Sequence, residues 1–87
     1  MQADKAKITR LLKTARGQMD GILAMVEDDR YCVDISNQLM ATDAILRKAN
    51  KEIIRAHMKG CVKNALETGD IDEKIDELIA LVDKLEK

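Results

Sequence analysis

The chain has 87 residues, 46% hydrophobic and 36% charged, with one aromatic residue, no Pro and a formal net charge of −1. That balance describes one small helical domain over 1–87 and excludes a disordered chain. No apolar run approaches the roughly 20 residues that cross a bilayer, and so short a chain has no room for a large-pocket enzyme. Met1 to Arg10 is polar and charged, unlike a signal peptide, and the two Cys come without a secretory pattern. Reduced thiols in the cytoplasm are therefore expected. With Tyr31 as its one aromatic side chain, the chain buries little apolar surface alone, so self-association is expected to complete the core.

The hydrophobic period is helical throughout. Ile8, Leu11, Leu12, Ala15, Met19, Ile22, Leu23 and Val26 recur at i, i+3, i+4 and i+7, which predicts a first helix over about residues 4–28. Glu27, Asp28 and Asp29 then oppose a helix C-terminus and suit the first turn of the next helix. The second helix is expected over about 31–66, apolar on more than one face and so central to the assembly. Thr68-Gly69-Asp70 reads as a stop and a start: Gly69 takes the left-handed cap, and Asp70 with Glu73 forms a capping box. Ile71, Ile75, Leu78, Val82 and Leu85 follow at heptad spacing in a short third helix. The expected fold class is all-α, with three helices per chain. No repeat, low-complexity tract or linker interrupts them.

Charge is segregated along the chain. Residues 1–26 carry five bases against two acids, 27–46 five acids against one base, 47–64 six bases against one acid, and 65–87 eight acids against three bases. By charge alone these read as solvated helix faces with i,i+4 partners. Two basic stripes stand out: Lys7, Arg10, Lys13 and Arg16 every three residues, and Arg47, Lys51, Arg55 and Lys59 every four. Such stripes on long helices can track phosphates. No helix-turn-helix and no base-reading constellation accompanies them, so DNA shape and backbone would dominate any recognition.

The residues with distinctive chemistry are Cys32, His57 and Cys61. A free Cys is often a small buried hydrophobe and a lone His is usually structural. Even so, His57 and Cys61 lie one turn apart on one helix face, a spacing that can chelate a metal. Thiolates favour soft ions such as Cu(I), and imidazole is compatible with them. Cys32 precedes His57 by 25 residues, about 37 Å along an unbroken helix. Two such helices packed antiparallel and crossing near Ile45 or Leu46 would bring Cys32 of one chain beside His57 and Cys61 of the other, giving two sites per two-fold dimer. No CxxC pair points to a zinc finger. No nucleophile, base and orienting acid point to an enzyme.

Gly17-Gln18, Gly21-Ile22, the run Met25 to Ile35 containing Glu27-Asp28-Asp29-Arg30-Tyr31-Cys32, then Gln38, Ala41, Leu46-Arg47, His57-Met58 and Cys61 together resemble the copper-sensitive operon repressor family over nearly the whole chain. The resemblance implies an antiparallel four-helix-bundle dimer paired into a dimer-of-dimers homotetramer. It also implies operator DNA bound in the metal-free form and released on Cu(I) binding, with copper-efflux genes under control. By the same resemblance the metal ligands are Cys32, His57 and Cys61. Tyr31 and a late Glu, Glu73 or Glu77, stand behind the metal site. Among family branches, Cys at position 61 with no His in residues 1–10 departs from nickel or cobalt sensors. Gln2 departs from formaldehyde sensors, and His57 departs from persulfide sensors. On the first helix the family's usual Arg is replaced at Thr14 and Asp20, whereas Arg47 is kept. Arg10, Lys13, Arg16 and Arg47 are therefore the expected DNA contacts. The alternative is a cytosolic Cu(I)-binding or persulfide- and thiol-sensing protein of the same fold with weak or lost operator binding.

Overall fold

The computed structural model describes residues 1–85, so residues 86–87 at the end of the expected 1–87 domain lie outside the described residues. Its elements are α1 (Lys5–Glu27), α2 (Cys32–Thr68) and α3 (Ile71–Leu85). No strand occurs among the described residues. None of the helices is long and apolar enough to cross a membrane. The chain divides into two units, Asp4–Glu52 and Met1–Ala3 with Ile53–Lys87.

The first unit is an antiparallel helical hairpin. Asp4 caps α1, its carboxylate accepting from the backbone N–H of Ala6 at 3.0 Å and of Lys7 at 3.4 Å. Ile8, Ala15 and Ile22 are buried, and each follows the last by one heptad. On α2 the buried residues of this unit are Thr42 and Ala49, also a heptad apart. Small residues at Ala15 and Ala49 let the two helices approach closely. Gln18 and Thr42 meet in the same seam, the Thr42 hydroxyl donating to Gln18 Oε1 at 2.8 Å, so this covered polar pair is satisfied internally. Lys7 and Glu52 pair at 3.1 Å.

The hairpin turn differs from the sequence expectation. Glu27-Asp28-Asp29 do not form the first turn of α2, which begins at Cys32 and has Asp34 as its early acid. They close α1 instead. Asp29 adopts φ 50°, its N–H donates to the Val26 carbonyl at 3.1 Å, and the Arg30 N–H donates to the Met25 carbonyl at 3.0 Å. This is a Schellman closure with Asp in the left-handed position, which Asp tolerates better than most side chains. The Tyr31 carbonyl then accepts from Asp34 and Ile35 and starts α2.

The second unit joins the later part of α2 to α3, with Met1–Ala3 beside them. Gly69 ends α2 at φ 82°, its N–H bonded to the Ala65 carbonyl at 2.8 Å, as its sequence position predicts. The expected Asp70 capping box is not formed. Among the described residues Asp70 contributes its carbonyl to Lys74 at 3.3 Å, and no hydrogen bond joins its side chain to the helix. Asp72 and Glu73 in the first turn of α3 supply the favourable negative charge in its place. Cys61 and Ala65 are the buried residues of this unit.

Much of the apolar set predicted from periodicity stays uncovered in a single chain. Leu12, Met19 and Val26 form a second heptad stripe on α1 that is exposed, as are Leu39, Met40 and Leu46 on α2 and Ile71, Ile75, Ile79 and Val82 on α3. Exposed stripes of this kind on a small chain mark surfaces that association covers.

Candidate metal centre

His57 and Cys61 project from the same face of α2, one turn apart, and Glu77 meets them from α3. The ligand-capable atoms of these three side chains lie within 4.8 Å of one another. His57 Nε2 is 2.8 Å from Glu77 Oε1, and the Cys61 thiol donates to Glu77 Oε2 at 3.9 Å. Lys74, one turn before Glu77, places its ammonium 3.5 Å from the same Oε2. Cys61 is buried, whereas the His57 and Glu77 side chains keep 45% and 41% of their surface exposed.

The hydrogen bond from His57 holds the Glu77 carboxyl below its ordinary range, burial opposes this, and the charges of Lys74 and His57 add to the lowering. A lowered folded-state value means that this interaction favours the fold above the ordinary carboxylate range. Its contribution is lost as pH falls through the lowered value. Because an ionised carboxylate only accepts, the His57 ring proton that faces it sits on Nε2. In the neutral ring this leaves the Nδ1 lone pair free to bind a metal, with the tautomer fixed from behind.

The sequence offered Glu73 and Glu77 as partners for His57. Glu77 makes the contact, and Glu73 is exposed in the first turn of α3. Cys32 is the exposed first residue of α2 and is not part of this cluster. Tyr31, 65% exposed, lies in the turn before it. Two neighbours were not foreseen. The Lys74 contact was legible as an i,i+3 pair on α3. Residues Met1 and Gln2 line a groove of about 360 Å³ with Ile53, Ile54 and Leu81 that reaches His57 and Glu77. Gln2 lies over Gly60, where an added Cβ would come within 3.1 Å of its side chain. No sequence pattern announces that approach.

Arg10, Lys13 and Arg16 are all exposed on α1. Arg47 on α2 is 76% exposed and bonded to Asp43, one turn away, at 2.8 Å. Thr14 turns its hydroxyl back to the Arg10 carbonyl at 2.9 Å, and Asp20 is exposed.

A helical chain with a His-Cys pair backed by a carboxylate, and exposed bases elsewhere on its helices, has the outline of a metal-responsive regulator. Residues 4–84 match the metal-sensitive transcriptional repressor family, and the chain belongs to it. It is 44% identical over 78 residues to the copper-sensing transcriptional repressor CsoR of Mycobacterium ulcerans, covering 90% of this chain and 66% of that protein. Against the copper-sensing transcriptional repressor CsoR of Bacillus subtilis it is 39% identical over 84 residues, covering 97% of this chain and 83% of that one. Among solved structures it is similar to the copper-sensing repressor CsoR with Cu(I) from Geobacillus thermodenitrificans. That match has a TM-score of 0.85 at 32% identity and covers 100% of this chain and 94% of the other. It also resembles the nickel-responsive transcriptional regulator InrS, with a TM-score of 0.86 at 26% identity, covering 98% and 96% of the two chains.

Proposed function

We propose that this protein is a Cu(I)-responsive transcriptional repressor of the cytoplasm that binds operator DNA in its metal-free form, releases it on metal binding and so controls copper-efflux genes. The observation that carries the reading is the His57–Glu77 bond at 2.8 Å beside the buried Cys61 thiol. It presents one nitrogen and one sulfur, one turn apart, on a pre-oriented face. The donor set fits the ion, because thiolates and imidazole suit soft Cu(I). Cys32 of one protomer, with the partner's His57 and the partner's Cys61, would complete three ligands. The 25 residues between Cys32 and His57 on one helix favour this shared arrangement over a site within one chain.

A homodimer built on antiparallel α2 helices, paired into a homotetramer, is the assembly this reading needs. The uncovered apolar stripes on α1 and α2 support it, since such an assembly would bury them. Cu(I) supplies the bonds that link two protomers. The protein's own residues do the remaining work. Glu77 orients the imidazole through Nε2, Cys61 is held one turn away, and Tyr31 stands next to Cys32 at the turn. Arg10, Lys13, Arg16 and Arg47 present exposed charge to DNA phosphates. Drawing the start of one α2 toward the end of the other changes how the two α1 helices face DNA. DNA in turn weakens metal binding by the same factor. The Cu(I)-sensing relatives support this reading over a Cu(I)-binding or thiol-sensing protein without an operator.

The test is anaerobic binding of the metal-free and Cu(I)-loaded protein to DNA upstream of its own gene, at stated salt. Tight metal-free binding, weakened by Cu(I) within the usual range of about 5–150-fold, is expected. His57→Ala should retain Cu(I) on two thiolates and lose the DNA response. A metal-free protein with no operator affinity would overturn the repressor reading and leave Thr14 and Asp20 as the reason.

A further inference from the structure

We propose a second ligand set, contained within one chain, for divalent cations of intermediate softness such as Zn(II) or Co(II): His57, Cys61 and Glu77, with water in the fourth position. The ligand atoms are already gathered within 4.8 Å. Tetrahedral bonds of about 2.0–2.3 Å hold ligand atoms about 3.3–3.8 Å apart. The Nε2 to Oε1 separation of 2.8 Å and the Sγ to Oε2 separation of 3.9 Å bracket that range, so small side-chain rotations suffice. One nitrogen, one sulfur and one oxygen are a common donor mixture for zinc.

Charge and hardness separate this set from the one proposed for Cu(I). A thiolate and a carboxylate carry two negative charges and neutralise a dication. A carboxylate is a hard ligand that suits divalent ions and is a poor partner for Cu(I). Cys61 and His57 belong to both sets, and the third ligand differs: Glu77 of the same chain for the dication, Cys32 of another chain for Cu(I). The imidazole also uses different atoms. Its Nε2 faces Glu77 and serves the dication, and Nδ1 remains for Cu(I). On dication binding the Cys61 proton goes to solvent. The ring exchanges its Nε2 proton for one on Nδ1, so one proton is released per ion.

The open side of the cluster, where His57 and Glu77 are 45% and 41% exposed, admits the water. Lys74, 3.5 Å from Oε2, is the resident cation that the metal must displace. A dication held this way joins no second protomer. Given the Cu(I) reading above, divalent ions would occupy the sensor without triggering it.

Anaerobic titration with Co(II) tests this, because thiolate coordination gives a near-ultraviolet charge-transfer band and a tetrahedral site gives visible bands. Wild type and Cys32→Ala should bind one Co(II) per chain with equal affinity and the same bands. Cys61→Ala should lose the charge-transfer band, and Glu77→Gln should weaken binding more than about 10-fold. Lys74→Met should tighten it. Loss of the band in Cys32→Ala, wild-type affinity in Glu77→Gln, or unchanged or weaker affinity in Lys74→Met would overturn the proposal. Cu(I) titration of Cys32→Ala separates the two readings. Weakened Cu(I) with unchanged Co(II) supports both, whereas unchanged Cu(I) removes the shared copper site and leaves the Co(II) result to be judged alone.

Discussion

The two units of this chain use their buried positions differently. In the α1–α2 hairpin the seam is filled by Ile8, Ala15, Ile22, Thr42 and Ala49, and its one polar contact, Thr42 to Gln18, is closed within the protein. In the α2–α3 unit the buried positions are Cys61 and Ala65, and the contacts around them run through ionisable groups: His57, Glu77 and Lys74. The first arrangement draws its stability from packing. The second gives up apolar burial to hold reactive groups close together, and exposed pairs of that kind contribute little to stability. A ligand that joins those groups therefore has most leverage in the unit with the least packing of its own.

Ile22→Ala tests the contrast most severely. It removes a buried branched side chain from the hairpin seam and should cost about 2–5 kcal/mol in urea unfolding at fixed protein concentration. A loss below about 1 kcal/mol would show that the seam does not carry the hairpin. Thr42→Val comes next. It keeps the shape but leaves Gln18 without its donor, at a cost of about 1–3 kcal/mol. If it is neutral, the Thr42–Gln18 bond is incidental and the seam is purely apolar. Smallest is Gly69→Ala, where an L side chain must adopt φ 82° with open space around it. The expected loss is about 1–2 kcal/mol, confined to the α2–α3 junction and visible as faster hydrogen exchange there. Equal acceleration throughout the hairpin would erase the distinction between the two units.

Periodicity placed all three helices to within a few residues, because an apolar repeat near 3.6 has one regular solution. It did not say which of two adjacent heptad stripes on α1 would be buried. Leu12, Met19 and Val26 are as apolar as Ile8, Ala15 and Ile22, and the choice depends on what packs against the helix. Local charge rules misplaced Asp28 and Asp29, since a left-handed closure at Asp29 outweighed the unfavourable charge at the end of α1. Gly69 was legible because only its conformational freedom was at issue. Asp70 was not, because a capping side chain must also find its rotamer.

The sequence by itself determined the helical class, the one-turn pairing of His57 with Cys61 and the family, since each follows from residue types at fixed spacing along one element. It also showed that Cys32 is too far along α2 to join them within a straight helix. Only the tertiary structure chose Glu77 over Glu73 as the partner of His57, set Lys74 beside it and brought Met1 and Gln2 to the same groove. Those choices depend on the rotation and register of α3 against α2. Side chains distant in sequence settle that register by packing, and no local periodicity encodes it.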